Sequence, residues 1–181
     1  MDVTFKMPAT PRAESSPISD DELIGQVAPL TSGFEGFRAK PYKDTAGNLT
    51  VGYGTNLDSP SAKNLFSKAG LDVNKARKNG VSKSEAEALL KAGLQVGLSD
   101  AKALVPNFDS LPIEAKQVIL DMSYNLGGPK LEEFEMFREA LNRNDFATAA
   151  AEMVNSKWYR QTGNRSRALV SKMKALSQRI R

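Results

Sequence analysis

The sequence of 181 residues contains no cysteine and no histidine. Without cysteine there can be no disulfide, no zinc–thiolate site and no thiol nucleophile. Without histidine, Ser-His-Asp and Cys-His triads, histidine-ligated metals and imidazole proton shuttles are excluded. Any catalysis must therefore use carboxylates, hydroxyls, lysine or arginine, or a metal held by oxygen ligands. We expect no cofactor and no bound metal.

Long apolar runs are missing as well. No stretch approaches the length of a membrane span, and residues 1–17, which mix Pro, Ser, Thr and charged residues, lack the apolar core of a signal peptide. The composition, with 40% hydrophobic and 25% charged residues, is that of one globular domain or of two small lobes that share a core. We therefore expect a protein without stable membrane insertion, whose export needs outside help.

Acidic residues are absent from the C-terminal end. Residues 157–181 contain eight basic side chains, which leaves 17 basic and 21 acidic residues in the rest of the chain. A basic end favours a polyanionic partner, such as nucleic acid, anionic lipid or a bacterial cell-wall polymer. A solvated helix face explains the same charges, so the sequence leaves both interpretations open.

Turn and capping residues divide the chain into four parts. Residues 1–18 are predicted to form a flexible extension, and residues 19–81 an N-terminal lobe with a hairpin. Residues 82–105 are predicted to form a long helix between lobes, and residues 106–181 a helical C-terminal lobe.

Local patterns predict the elements of these parts. Capping boxes at Ser19–Glu22 and Ser82–Glu85 each begin a helix, and Pro29 is expected to interrupt the first of them, which ends by Pro41. Residues 42–53 combine turn chemistry with alternating β-type residues and predict a short hairpin. The later helices are expected at residues 111–126 (buried and central), 131–142, 145–155 and 165–179, with Trp158 and Tyr159 in a connector.

Two carboxylates of the N-terminal part have opposed environments. Glu35 lies between Phe34 and Phe37, where partial desolvation is expected to raise its pKa and keep it protonated near neutral pH. Asp44 lies in a polar turn, where a carboxylate stays ionised, and the hydroxyl of Thr50 on the next strand can face the same water. Glycosidic hydrolysis needs one acid to protonate the leaving oxygen and another to handle water or the sugar cation. A surface helix position for Glu35 and an Asx turn at Asp44 explain the same spacing, so this alternative stays open.

The segment Glu35–Gly54, with the sequence EGFRAKPYKDTAGNLTVGYG, resembles the catalytic signature of the phage-type (T-even) lysozymes, glycoside hydrolase family twenty-four. Residues 81–87, 108–111, 125–127 and 156–165 follow in the order of that family, and the resemblance extends over residues 22–178. The spacing of the Glu, Asp and Thr before a glycine-rich strand is its most specific part.

The resemblance implies an α+β, mainly α, two-lobed lysozyme-like fold with the substrate in a cleft between the lobes. It implies hydrolysis of the β-1,4 bond between N-acetylmuramic acid and N-acetylglucosamine in bacterial peptidoglycan. By motif position, Glu35 is the general acid, and Asp44 and Thr50 orient the attacking water on the opposite face, which fits an inverting reaction.

The resemblance also implies substrate-binding residues. Arg165 matches the family position that reaches the catalytic glutamate from the far lobe, and Tyr124 and Asn125 match positions that line the cleft. Asn56 and Phe137 align with sugar-contacting positions but differ from the family in residue type.

Two further functions remain compatible with the sequence. The same cleft can support a non-hydrolytic peptidoglycan transglycosylase, which needs the acid but not the water-holding pair. The basic C-terminal region is also compatible with a nucleic-acid-binding helical module, although it has no recognisable groove-binding motif. The preferred interpretation is a monomeric endolysin without nucleic acid. It would wait in the host cytoplasm for release by a holin, or be delivered by a virion or secretion apparatus, and would act on periplasmic peptidoglycan.

Overall fold

The computed structural model describes residues 17–180, so most of the predicted extension at residues 1–18 lies outside the described part of the chain. Residues 17–180 form a mainly helical α+β fold with one small antiparallel sheet, which confirms the predicted fold class. The helices are α1 (Asp20–Glu35), α2 (Ala62–Lys68), α3 (Val73–Asn79), α4 (Lys83–Leu104), α5 (Ile113–Leu126), α6 (Gly128–Glu132), α7 (Glu135–Asn142), α8 (Phe146–Val154), α9 (Lys157–Thr162) and α10 (Asn164–Arg179). The strands are β1 (Arg38–Lys43), β2 (Leu49–Gly52) and β3 (Thr55–Asn56).

Helix α1 is continuous through Pro29, so the predicted interruption is wrong. Its first turn is closed by the predicted capping box of Ser19 and Glu22. A proline inside a helix costs about 3 kcal/mol. The buried side chains of the first half of α1 outweigh this, because each large aliphatic side chain contributes about 1.5–3 kcal/mol on burial. These side chains are Leu23, Ile24 and Val27.

The first helix ends at Glu35, earlier than predicted. Gly36 adopts φ +70°, a backbone conformation that suits glycine and turns the chain out of the helix. Phe37 therefore lies outside the helix, and Pro41 lies in β1. Because β1 is an edge strand, its proline removes no hydrogen bond that the sheet needs.

The predicted hairpin is present and is extended by a third strand that the sequence did not predict. The strands lie in the order β1-β2-β3, with both neighbouring pairs antiparallel. Helices α2 and α3 follow the sheet, and α3 contacts β1. The sheet is thus held between the end of α1 and the helices that lead into α4.

Helix α4 begins at the predicted capping box of Ser82 and Glu85 and runs for 22 residues. Its buried face packs against α1, α2 and α5, and against strand β2. A helix of this length extends about 33 Å. It therefore links the sheet region to the later helices, whereas the division into lobes at residues 82 and 105 stays a prediction.

Helix α5 is the buried centre of the C-terminal region, as predicted. Its core side chains Val118, Ile119, Leu120 and Met122 are completely buried. Two details differ from the prediction: α6 forms directly after Gly127, and the segment with Trp158 and Tyr159 is helix α9. Ser156 explains the second difference, because its hydroxyl accepts a hydrogen bond from the Tyr159 backbone N–H and caps the helix.

None of the helices within residues 17–180 combines the length and the apolar character that crossing a membrane requires.

Candidate active site

Glu35 is the last residue of α1, and its carboxylate lies against the turn between β2 and β3. Its side chain is 18% exposed. Gly54 in that turn has φ +73°, and a Cβ atom at this position would overlap Glu35 Oε2. Glycine is therefore needed at position 54 for its backbone conformation and also to make room for the carboxylate.

Arg165, from the first turn of α10, contacts the other oxygen of Glu35. Its Nη1 lies 2.6 Å from Glu35 Oε1, and the arginine side chain is only 8% exposed. The ring of Phe34 lies 5.3 Å from its guanidinium carbon. The structure thus brings Glu35 and Arg165 together across 130 positions of sequence, as the family resemblance implied.

A second carboxylate, Asp121 of α5, holds the same guanidinium from the other side. Nε and Nη2 of Arg165 donate to Asp121 Oδ2 and Oδ1 at 2.9 and 3.0 Å. The hydroxyl of Thr31 on α1 donates to Asp121 Oδ1 at 2.6 Å, and Asp121 is completely buried. Burial disfavours the charged guanidinium, but the hydrogen bonds and charge of Asp121, followed by those of Glu35, outweigh it and raise the pKa of Arg165.

The surroundings of Glu35 differ from the sequence-based expectation. Phe37, expected to shelter the carboxyl, is 39% exposed and packs on the ring of Tyr53 with 5.6 Å between centroids. The Glu35 carboxylate accepts a hydrogen bond from Arg165, and its Oε2 occupies the space that a side chain at position 54 would fill. Glu35 is therefore paired with a charged side chain and lies against a glycine turn.

Asp44 begins the turn between β1 and β2 and closes it with its own side chain. Its Oδ1 accepts hydrogen bonds from the backbone N–H of Ala46 at 2.9 Å and of Asn48 at 2.8 Å. Its Oδ2 has a longer contact of 3.4 Å with Asn48 Nδ2. Asp44 is thus the Asx-turn former that the sequence allowed, and Oδ2 is its less engaged oxygen.

Thr50 lies on the central strand, directly opposite a residue of each neighbouring strand. It pairs with Tyr42 of β1 and with Asn56 of β3, so the three side chains form one row on the same face of the sheet. Its hydroxyl donates to the Asn48 carbonyl oxygen at 3.1 Å, and the Asp44 N–H donates to that oxygen at 2.9 Å. The turn therefore links Asp44 to Thr50, although Thr50 is only 3% exposed.

Tyr42 lies within the electrostatic reach of both acids. Burial, then the charge of Glu35, and more weakly that of Asp44, raise the pKa of its phenol, while Arg38 acts in the opposite direction. The Arg38 guanidinium carbon lies 4.2 Å from the centre of the Tyr42 ring. The charges of both predicted catalytic acids therefore act on one side chain in the same row as Thr50.

The residues predicted to bind substrate occupy different environments. Tyr124 donates from its hydroxyl to the Tyr53 carbonyl oxygen at 2.6 Å, and burial, followed by the charge of Glu35, raises its pKa well above the usual range. Asn125 Oδ1 accepts a hydrogen bond from Trp158 Nε1 at 2.9 Å. Asn56 Oδ1 accepts one from the Asp58 backbone N–H at 2.8 Å, and Asn56 lies in the row with Thr50.

Phe137 does not fit the predicted sugar contact. Its side chain is 1% exposed and packs edge-to-face on Phe134 in the core, with 6.2 Å between ring centroids. A side chain without accessible surface has none to offer a sugar ring, so this prediction is corrected. The apolar face of α7 buries Phe137 because this short helix presents its hydrophobic residues to α8.

Three residues that shape the site were not predicted as site residues from the sequence. Asp121 and Thr31 form the network behind Arg165, and Gly54 adjoins Glu35. One pattern could have indicated Asp121: a carboxylate within the apolar stretch of residues 118–122 needs a buried partner. Thr31 has no comparable pattern in the sequence.

Comparison with known proteins gives concordant results. The family model for phage lysozyme matches residues 32–175. Two relatives from Dictyostelium discoideum, described as probable T4-type lysozymes 1 and 2, are 28% identical over 162 residues and 27% identical over 159 residues. Each alignment covers 82% of this chain and 94% of the relative.

Proposed function

We propose a catalytic mechanism for this chain. The chain belongs to the phage lysozyme family and is a glycoside hydrolase, a muramidase that degrades bacterial peptidoglycan. In this mechanism Glu35 donates a proton to the oxygen of the β-1,4 bond between N-acetylmuramic acid and N-acetylglucosamine. Asp44 and Thr50 position the water that replaces the leaving sugar. The observation that supports it most directly is the turn that links Asp44 to Thr50 through the Asn48 carbonyl oxygen, with Glu35 lying against the neighbouring turn between β2 and β3.

The proton is carried on one oxygen of Glu35. Arg165 binds Oε1, which leaves Oε2 to hold the hydrogen. As the bond between the anomeric carbon and the glycosidic oxygen breaks, this hydrogen passes to the leaving oxygen. The carboxylate that remains is stabilised by the guanidinium already in contact with it.

The water attacks from the side of Asp44. Asp44 Oδ2, the less engaged oxygen of that carboxylate, accepts a proton from the water as its oxygen bonds to the anomeric carbon. Thr50 accepts a hydrogen bond from the same water, because the proton of its own hydroxyl is directed to Asn48. Attack opposite the leaving group inverts the anomeric configuration.

Loss of turnover without loss of folding is the test of the proton donor. We expect Glu35→Gln to abolish the clearing of chloroform-treated Gram-negative cells, because the amide cannot donate an acidic proton. Glu87→Gln, the same change at an exposed position of α4, is the matched control and should clear the cells at the parent rate. A Glu35→Gln protein that clears cells as fast as the parent would show that the mechanism is wrong.

The products separate hydrolysis from the transglycosylase chemistry that the sequence left open. Hydrolysis releases reducing ends, and an inverting reaction releases them first as the α-anomer, whereas transglycosylase cleavage gives anhydro ends. Mass spectrometry of the digested peptidoglycan, with NMR of the first anomer formed, measures both. Anhydro ends, or an initial β-anomer, would contradict the roles given to Asp44 and Thr50.

The basic C-terminal region fits a peptidoglycan enzyme without a nucleic-acid partner. Several of its cations have internal partners: Arg165 in the site, Lys172 with Gln117, and Arg179 with Glu114. The remaining charges favour the approach to an anionic wall. Unchanged electrophoretic mobility of DNA mixed with the protein at low salt is the expected result, and salt-dependent binding would contradict it.

Delivery is also part of the proposal. The enzyme acts as a monomer on periplasmic peptidoglycan, which it reaches from the host cytoplasm through a holin, or by a virion or secretion apparatus. We expect cells that express it in the cytoplasm to stay intact until their inner membrane is permeabilised. Lysis of intact cells without a permeabilising agent would show that the enzyme crosses the inner membrane by a route of its own, which would contradict this part of the proposal.

A further inference from the structure

The guanidinium of Arg165 lies between two carboxylates that come from different helices. Glu35 Oε1 of α1 is 2.6 Å from Nη1, and Asp121 of α5 is bound side-on through two hydrogen bonds. Asp121 has no exposed surface, and Thr31 donates a further hydrogen bond to it. A buried carboxylate needs partners of this kind, since leaving it unpaired is costly.

This arrangement has a consequence for the proton donor. An arginine next to a carboxyl group favours the ionised form, which cannot donate a proton. With Asp121 bound to the same guanidinium, the pair of Arg165 and Asp121 is neutral. The whole cluster is then uncharged when Glu35 carries its proton, and has one negative charge after donation.

We propose that Asp121 is a positioning residue for the proton donor: it holds Arg165 against Oε1 of Glu35 and compensates the charge of that arginine, so that Glu35 retains its proton until the sugar leaves. This inference rests on the proposed role of Glu35. Asp121 thereby acts on the reaction only indirectly, through Arg165 and Glu35.

The charged or titratable groups around Glu35 come from α10, α5, β1 and the turn that follows β1. Helix α10 contributes Arg165, and α5 contributes Asp121 and the phenol of Tyr124. Strand β1 contributes Tyr42 with Arg38 over its ring, and the following turn contributes Asp44. Asp121 differs from these in being bound directly to the guanidinium that contacts Glu35, so its removal changes the charge of that contact.

Asp121→Asn is the direct test. Asparagine keeps the shape and the oxygen that accepts from Thr31 and from Arg165 Nη2. It removes the negative charge and the second oxygen, which accepts from Arg165 Nε. We expect the pH at which the Glu35 carboxyl titrates, followed by carbon-13 NMR, to fall by about one unit. The alkaline limb of kcat against pH should move in the same direction, with kcat at pH 7 about tenfold lower and KM unchanged.

Two comparisons make the result specific. Asp109→Asn, the same change at a side chain that is 80% exposed, should leave the Glu35 titration where it is. The double variant Asp121→Asn/Arg165→Gln removes both charges and should return the titration towards the wild-type position. A purely structural role for Asp121 would lower activity equally at all pH values and leave the titration unmoved, which would overturn the proposal.

A measurement on the unmodified protein covers the case in which Asp121→Asn fails to fold. Charge compensation requires Asp121 to be ionised throughout the pH range in which Glu35 loses its proton. Carbon-13 NMR of wild-type protein reports this directly, and a protonated Asp121 in that range would overturn the proposal. Because both titrations are measured without substrate, they also differ from the Glu35→Gln assay, whose failure would contradict the proposed function itself.

Discussion

Asp44 is held by the backbone N–H groups of Ala46 and Asn48, two and four residues along the chain, whereas Glu35 is held by Arg165, 130 residues away. The turn of Asp44 is closed by short-range hydrogen bonds, so its geometry needs little from the rest of the fold. The contact of Glu35 exists only after α1, α5 and α10 have packed together. The Asp44 side of the site is therefore a local structure, and the Glu35 side is a product of tertiary packing.

Among the changes that test this comparison, Asp44→Asn should have the largest effect. It tests whether the Asp44 side of the site can lose activity and keep its structure. Asparagine Oδ1 accepts the same two backbone N–H bonds, so the free energy of unfolding should change by less than about 0.5 kcal/mol. The proton acceptor is lost, and kcat should fall by about 10²–10⁴-fold. Kinetics on purified peptidoglycan and urea unfolding measure the two quantities.

Asp72→Asn is the matched control for that prediction. Asp72 caps α3 by accepting from the N–H groups of Asn74 and Lys75, a local arrangement like that of Asp44 but outside the site. It should leave kcat unchanged. An Asp44→Asn enzyme with wild-type kcat would mean that Asp44 only forms its turn.

The next largest effect should come from Gly54→Ala, in which the added methyl group displaces the Glu35 carboxyl. The new Cβ would overlap Glu35 Oε2 and force the carboxyl away from its position. A misplacement of this size costs about 10²-fold in kcat. Gly70→Ala is the control, because Gly70 has φ +72° but no atom near a new Cβ. Backbone strain should lower the free energy of unfolding of both Gly54→Ala and Gly70→Ala by about 1–2 kcal/mol. An equal kcat in the two variants would contradict the close approach of Gly54 to Glu35.

The local side of the site could be predicted from the sequence, since its geometry depends on neighbours in the chain. The turn at Asp44, the hairpin and the capping boxes at Ser19 and Ser82 all follow from residues within a few positions of each other. The spacing of Glu35, Asp44 and Thr50 also pointed to two acids whose charges both act on Tyr42, which lies opposite Thr50 in the sheet.

The Glu35 side of the site could not be predicted in the same way. Asp121 and Thr31 are separated by 90 positions, and which buried polar groups meet depends on how the helices pack. Pro29 shows the same limit, because its local cost is offset by the burial of neighbours against other helices. Phe137 was placed by analogy of position, whereas the packing of α7 against α8 buries it.

A smaller effect, on stability, should separate a long-range hydrogen bond from a local one. Thr31→Val removes the 2.6 Å bond to buried Asp121, and Thr148→Val removes a bond of equal length to Asp145, three residues away. We expect Thr31→Val to lower the free energy of unfolding by about 1–3 kcal/mol, because a buried acceptor loses one of its partners. The partly exposed Asp145 can turn to water, so Thr148→Val should cost less. Equal losses in urea unfolding would contradict the distinction.

The smallest effect concerns Asp58, whose contacts join the otherwise local Asp44 side of the site to residues farther along the chain. The backbone N–H of Leu49, followed by Arg77 and Lys43, holds the pKa of Asp58 below its ordinary value. A carboxyl with a lowered pKa adds stability above the unfolded-state pKa of about 3.9 and loses it as the pH falls through the folded-state value. Wild type should therefore be slightly more stable than Asp58→Asn at pH 7, and the difference should disappear in thermal unfolding at pH 2. A stability difference that stays constant between pH 7 and pH 2 would contradict this. Because the turn of Asp44 needs none of these contacts, kcat of Asp58→Asn at pH 7 should equal that of wild type.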